Sequence, residues 1–208
     1  MHDDAISPEQ RTALRALAPT ASQGFYLAGG TGLCLRLAHR QSVDIDLFRE
    51  ADFDPAAVLE ELVAAGLAPT NVRTKPNTLW CDVNGVPTSL MAFPYPRIHP
   101  AEPAAGVQLA SLEDIAAMKV EAIASRGARK DFIDLYFICQ EGLTVTGAMA
   151  AFEQRFAPAR PDVAHRLKAL VYFEDAEREP EPLLLRPAPW PTVRSFFETE
   201  LRALWARA

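Results

Sequence analysis

Two aspartates two residues apart, Asp44 and Asp46, alternate with Val43, Ile45 and Leu47 in the run Ser-Val-Asp-Ile-Asp-Leu-Phe. In an extended strand, residues two apart point to the same side. The spacing therefore predicts a strand over Val43 to Phe48, with both carboxylates on one face and the three apolar side chains on the other. Two adjacent like charges are costly unless something positive lies between them. Mg2+ (or Mn2+) is the hard cation such oxygen ligands suit. Upstream, a short apolar run ends in Gly29-Gly30-Thr31. Glycines there let backbone amides approach a phosphate, and a helix opening at that point adds its positive end. The combination points to metal-dependent nucleotidyl transfer, with Asp44 and Asp46 as metal ligands and Gly29, Gly30 and Thr31 on the nucleotide.

A second constellation lies downstream. Lys119 falls among Ile115, Ala116, Ala122 and Ile123 on one face of a helix predicted from Ser111, its N-cap. A lysine in an apolar stripe either snorkels or pairs with an anion, because an unpaired buried ammonium is expensive. The next predicted helix, Lys130 to Gln140, is apolar almost all round except for Asp131 and Asp134, and the basic turn Arg126-Gly127-Ala128-Arg129-Lys130 separates the two. Two readings stand. In the one the spacing favours, Asp131 and Asp134 pair with Lys119, Arg126 or Arg129 and hold two helices together. In the other, Lys119 and Asp134 complete an active site, with Arg126 and Asp131 beside the nucleotide. His39 and Arg40 read as surface residues at a helix end, where positive charge is favoured; Arg40 is also a candidate nucleotide contact. Trp80, Trp190 and Trp205 read as packing residues.

These residues need elements to position them. Ser7-Pro8-Glu9-Gln10 carries a capping box and a first-turn proline, predicting a helix to about Ala18. Phe25–Leu27 reads as a short buried strand, Thr31 to about Ala38 as a buried helix, and Pro55–Ala65 as a helix stopped by Gly66. Strands follow at Asn71–Lys75, Leu79–Val83 and Thr88–Phe93, the last two joined by the hairpin dipeptide Asn84-Gly85. Pro94 to Pro103 reads as a long connection or boundary. Beyond it the chain turns helical, with candidates at Thr146–Phe156, Pro161–Tyr172 and Pro191–Arg207 and a charged loop from Glu174 to Pro189. The expected fold class is α/β (α+β): a core over residues 1–100 with a mixed sheet flanked by helices, and a helical part over 101–208.

The 208 residues, 49% hydrophobic and 23% charged, are ordinary for a globular protein and long enough for one substantial domain or a domain with a helical extension. No apolar run approaches the roughly 18 residues of a membrane span, so no membrane partner is expected. The acidic N-terminal segment lacks a signal-peptide layout, which predicts a cytoplasmic protein. Cys34, Cys81 and Cys139 form no Cys-x-x-Cys pair and read as core thiols rather than zinc ligands or disulfides. A net charge of −6 argues against a broad, sequence-independent grip on nucleic acid, while allowing a small basic patch.

Leu-Ala-Gly-Gly-Thr-Gly-Leu-Cys-Leu followed by His-Arg-Gln-Ser-Val-Asp-Ile-Asp-Leu-Phe resembles the first motif of the AbiEii/AbiGii nucleotidyltransferase-like toxin family. Asp-Ile-Ala-Ala-Met-Lys-Val-Glu-Ala-Ile and Lys-Asp-Phe-Ile-Asp-Leu-Tyr-Phe resemble its second block. The resemblance covers roughly Phe25 to Gln140. It implies a DNA-polymerase-β-like nucleotidyltransferase core and a toxin of a toxin–antitoxin or phage-defence pair, with an NTP as substrate, a cognate antitoxin as partner and, as in MenT-like members, the tRNA acceptor end as target. It matches Gly29, Gly30 and Thr31 to the phosphate loop, Asp44 and Asp46 to the metal pair, and Lys119 and Asp134, with Asp131 close by, to the later block. Such sites usually take a third carboxylate from the neighbouring strand, but Thr88–Phe93 contains no acid. Asp82 lies across the hairpin with its side undetermined. Asp131 or Asp134 as the missing ligand, a single metal, or impaired catalysis all remain open. Nucleotide transfer to a protein or small molecule, and a catalytically silent nucleotide- or partner-binding protein, are the rival functions.

Overall fold

The computed structural model describes residues 1–206, which divide into two compact units at Ser111/Leu112. The first unit holds helices α1 (Pro8–Ala16), α2 (Gly29–Leu37) and α3 (Pro55–Ala64). Its strands are β1 (Tyr26–Leu27), β2 (Ile45–Arg49), β3 (Thr70–Lys75), β4 (Thr78–Val83), β5 (Val86–Ala92), β6 (Glu102–Ala104) and β7 (Val107–Leu109). Among the described residues they form one seven-stranded sheet in the order β3-β4-β5-β2-β1-β7-β6. The sheet is mixed: β2 runs parallel to β5 and β1 to β7, and the remaining pairs are antiparallel.

Local chemistry explains the boundaries. Ser7 Oγ accepts from Gln10 N and Gln10 Oε1 accepts from Ser7 N, closing the expected capping box on α1. Asn84 and Gly85 both take positive φ, as a type I′ hairpin requires. One face of the sheet is apolar. Leu27, Ile45, Leu47, Leu79, Cys81 and Leu90 pack there with residues of all three helices, including Leu14, Leu35 and Leu62, in one buried cluster. Alternation leaves Asp46 and Ser89 on the opposite face.

Three expectations change. Val43 is 75% exposed, because the ordered strand begins at Ile45 and Asp44 lies just before it. The proline-rich stretch is not a plain connection: it ends in the β6–β7 hairpin, which extends this sheet and moves the division of the chain from about residue 100 to Ser111. Pro103 is tolerated because β6 is an edge strand. Finally, Glu174–Arg178 within the expected loop is a short helix.

The second unit contains helices α4 (Leu112–Arg126), α5 (Arg129–Gln140), α6 (Val145–Phe156), α7 (Val163–Ala169), α8 (Glu174–Arg178) and α9 (Trp190–Trp205). The expected end of the last helix at Arg207 lies outside the described residues. α4 packs against α5, α6 and α7, and α5 against α8 and α9. Phe132 on α5 anchors the core, with Phe173, Phe197 and Trp190 ring centroids 5.2, 5.7 and 5.9 Å away. Trp205, read as a packing residue, is instead 53% exposed. No helix among the described residues is long and apolar enough to cross a membrane. Burial, with the charge of the adjacent Asp82, pushes the Cys81 thiol up to about 11; Cys139, read as a core thiol, is only half-buried, and burial with the Glu200 charge pushes it up to about 12.

Asp114 in the first turn of α4 and Arg155 in the last turn of α6 form a fully buried ion pair at 2.7 Å. Desolvation makes such a pair costly to break from one side. Arg155→Ala should lower unfolding free energy by about 3–5 kcal/mol. The double variant Arg155→Met/Asp114→Leu should recover much of that loss. Urea denaturation of the single and double variants checks both outcomes.

Candidate active site

The carboxylates of Asp44 and Asp46 line a cleft of about 290 Å³ with Ser89, Trp80, Asp82 and Arg73. Register fixes this arrangement: Asp46 on β2 pairs with Ser89 on β5, which pairs with Trp80 on β4. Ser89, and no acid, stands beside Asp46 on the neighbouring strand, and its hydroxyl donates to Asp46 Oδ1 at 2.5 Å. Ser42 Oγ donates to Asp44 Oδ1 at 3.1 Å. Each aspartate is thus aimed by a neighbouring hydroxyl. Asp82 lies on the same sheet face as Asp46, two residues from Trp80, with Oδ2 accepting from Asn71 Nδ2 at 2.5 Å. Its side follows from the unbroken β4–β5 register, with Asp82 opposite Pro87 and Trp80 opposite Ser89, and from the pairing of β5 with β2.

The glycine pair forms the first turn of α2 rather than a loop before it. Gly29 has φ +65°, and a Cβ there would lie 2.9 Å from Asp46 Oδ2. A Cβ on Gly30 would lie 2.6 Å from Ser42 Oγ and 2.7 Å from Arg40 Nη2. Gly29 suits its positive φ, and the absence of side chains at both positions lets the start of α2 lie close to Asp46, Ser42 and Arg40. Arg40 is not a surface residue. It is 4% exposed and donates from Nη1 to Gln41 O at 2.9 Å. Its neighbour His39 is fully buried. Thr31 is buried too, and its hydroxyl donates to the backbone carbonyl of Asp44. It therefore ties α2 to the aspartate segment.

Two carboxylates on one face, a helix N-terminus and an arginine beside it suit a divalent cation shared with nucleotide phosphates. Among the described residues no group of three or more His, Cys, Asp and Glu side chains is arranged to hold a metal. Asp44 and Asp46 are the carboxylates in this cleft that such an ion could share.

In the second unit, Lys119 Nζ lies 2.8 Å from Asp131 Oδ1 and 2.5 Å from Asp134 Oδ2. Arg126 grips Asp131 with two bonds, Nε to Oδ2 at 2.7 Å and Nη2 to Oδ1 at 2.9 Å. Both aspartates are fully buried. The ion-pair reading of this face is what the geometry displays, with α4 and α5 clamped by a charge-balanced cluster. Arg129 is not part of it; it donates to the Ala176 carbonyl at 2.9 Å instead. Burial alone would raise the Asp131 carboxyl, but the Lys119 charge and the Arg126 bonds outweigh it and hold it below the usual carboxylate range.

The Asp-x-Asp segment thus leads into β2, which pairs in parallel with β5, beside the Gly-Gly start of α2. The family model described as "Nucleotidyl transferase AbiEii toxin, Type IV TA system" matches residues 12–79 and 81–206. The chain belongs to the AbiEii nucleotidyltransferase toxin family, and nucleotide transfer is its class of activity. It is 32% identical over 207 residues to an uncharacterized protein of Aquifex aeolicus, covering 95% of this chain and 96% of that one. Solved structures share the fold. MenT4, a nucleotidyltransferase toxin of Mycobacterium tuberculosis, aligns with a TM-score of 0.62 at 20% identity, over 93% of this chain and 81% of that one. A putative nucleotidyltransferase of Helicobacter pylori aligns at 0.52 and 15% identity, over 96% and 95%. The antibiotic-resistance factor ANT(2'')-Ia aligns at 0.52 and 18% identity, over 73% and 95%.

Because the folded Asp131 carboxyl titrates below its unfolded value, its contribution to stability is complete above about pH 3.9 and is lost as pH falls through the lower folded value. Asp131→Asn should therefore flatten the acid limb of a stability-against-pH curve, measured as urea midpoints between about pH 6 and pH 2. Lys119→Met, which leaves two buried carboxylates without their shared ammonium, should cost about 3–5 kcal/mol at neutral pH by the same assay.

Proposed function

We propose that this chain transfers a nucleotide from an NTP to a hydroxyl at the 3′ end of an RNA such as a tRNA, with Mg2+ or Mn2+ held by Asp44 and Asp46. The observation that carries this is the close approach of the Gly29–Gly30 turn of α2 to Asp46, whose carboxylate lines the cleft together with Asp44. In this reading the N–H groups of the first turn and the Arg40 guanidinium hold the triphosphate. Ser42 and Ser89 fix the carboxylate directions, so that little reorganisation accompanies reaction. The divalent ion, when bound, neutralises phosphate charge and polarises the reacting phosphoryl group. Thr31 acts as a positioning residue through the Asp44 backbone. For Lys119 and Asp134 the family resemblance supports a catalytic part; their pairing in the structure supports a positioning part, in which Asp131 and Asp134 set the lysine's place and Arg126 closes the cluster.

The toxin–antitoxin family supports a cognate antitoxin as partner and a cytoplasmic site of action, where NTP and RNA are available. Transfer to a protein or metabolite hydroxyl is the second reading, favoured by the net charge of −6, which limits any RNA footprint to a small patch.

Purified protein with Mg2+, α-labelled NTPs and total tRNA should label RNA, and excess chelator should abolish the transfer. Asp46→Asn and Asp44→Asn should each cut turnover by at least about 100-fold, a typical loss for removing a group that stabilises developing charge. Label found on a protein or metabolite instead of RNA would select the second reading. A wild type indistinguishable from Asp46→Asn would sink both.

A further inference from the structure

The open face of the sheet continues beyond Asp46, away from the glycine turn. Pairing aligns Asp46 with Ser89, Ser89 with Trp80 and Trp80 with Arg73. These four side chains form one row across β2, β5, β4 and β3. Strands lie about 4.8 Å apart, so Trp80 stands about 10 Å and Arg73 about 14 Å from Asp46 along the row. Trp80, read from sequence as a packing residue, is only half-buried, and every residue of β3 is exposed. The Arg73 guanidinium carbon lies 6.0 Å and Lys75 Nζ 5.7 Å from the Trp80 ring centroid.

Strand order gives this row a direction. Gly29 and Gly30 follow β1, which flanks β2 on one side; β5, β4 and β3 extend on the other. In-line displacement places the entering hydroxyl and the leaving oxygen on opposite sides of the reacting phosphorus. With the triphosphate on the first turn of α2, the acceptor must enter over β5, β4 and β3.

An accessible indole flanked by two exposed cations matches a nucleobase followed by its backbone phosphates. Cation–π contacts at exposed sites are weaker than base–aromatic stacking, so an entering base displaces Arg73 and Lys75 toward the phosphates. Asp82, on the same face beyond Trp80, repels phosphates and directs the strand along the Arg73–Lys75 edge. A base inside a duplex has no face to offer, which selects an unpaired end.

We propose that Trp80, Arg73 and Lys75 form the docking platform for the acceptor: a single-stranded RNA 3′ end, with a base near the terminus stacked on Trp80 and its phosphates on the two cations. This rests on the transfer reading above. The test measures two quantities on a short RNA oligonucleotide, single-stranded or paired through its 3′ end: binding by fluorescence anisotropy, and label transfer with Mg2+ and NTP. Trp80→Ala should weaken binding and raise the RNA KM by about 10-fold or more, with the NTP KM unchanged, while Trp80→Phe retains most of both. Arg73→Ala/Lys75→Ala should flatten the log–log salt dependence of binding by about 1.4, as expected for two lost phosphate contacts on a single strand. The paired oligonucleotide should bind and react poorly. RNA labelling by the wild type with Trp80→Ala unchanged overturns the platform alone. RNA binding that depends on Trp80, with no label transferred, overturns the transfer reading and supports the platform. Label on a protein or metabolite with no RNA binding overturns both.

Discussion

Close approach between α2 and β2 is the constraint on which the first unit depends. A side-chain carbon at position 29 would meet the Asp46 carboxylate at 2.9 Å, and one at position 30 would meet Ser42 and Arg40. Without those carbons, a helix N-terminus, two acids and a guanidinium occupy one small volume. The opposing charges there need one another: the carboxylates repel, and the amide dipoles and Arg40 offset the repulsion. The bond from Thr31 to the Asp44 carbonyl and the bond from Gln10 Nε2 to Ser42 O at 2.8 Å fasten the segment from both α1 and α2. The apolar face beneath supplies rigidity through Ile45 and Leu47.

The second unit solves a related problem in another way. Its buried charges are neutralised by each other. Lys119 lies between two aspartates, Arg126 grips one of them, and Arg155 holds Asp114. Replacing such pairs with apolar side chains is often neutral or stabilising, so their presence is weak support for a purely stabilising role. What they provide is a fixed orientation of α4 relative to α5 and α6.

Much of this was legible from short-range pattern. The capping box at Ser7 and Gln10, the hairpin dipeptide at Asn84 and Gly85, and the alternation through Asp46 all act within a few residues. The parts that were not legible depend on partners distant in sequence. Asp114 and Arg155 are separated by 41 residues, and neither has a local cue to the other. Arg40 and His39 follow a helix end, which suggested solvent, yet tertiary packing buries both. The face Asp82 shares with Asp46 depends on the pairing of β5 with β2, strands far apart in sequence. The β6–β7 hairpin was hidden by prolines that an edge strand accommodates. Ser89 illustrates a different limit. An acid is expected on the strand beside Asp46, and the residue there is a hydroxyl that orients the acid already present.

Strand β3 is the outermost strand on its side of the sheet, exposed throughout and carrying Arg73 and Lys75. An uncovered edge is a template on which a second chain could pair its backbone. Two cations and a bulge on this edge work against that pairing, since an approaching copy would bring the same charges and meet an interrupted ladder. The face of the hairpin can thus stay open to a ligand while its rim resists self-association. In a chain of net charge −6, these two positive side chains also bear on how well the protein stays dispersed at high concentration.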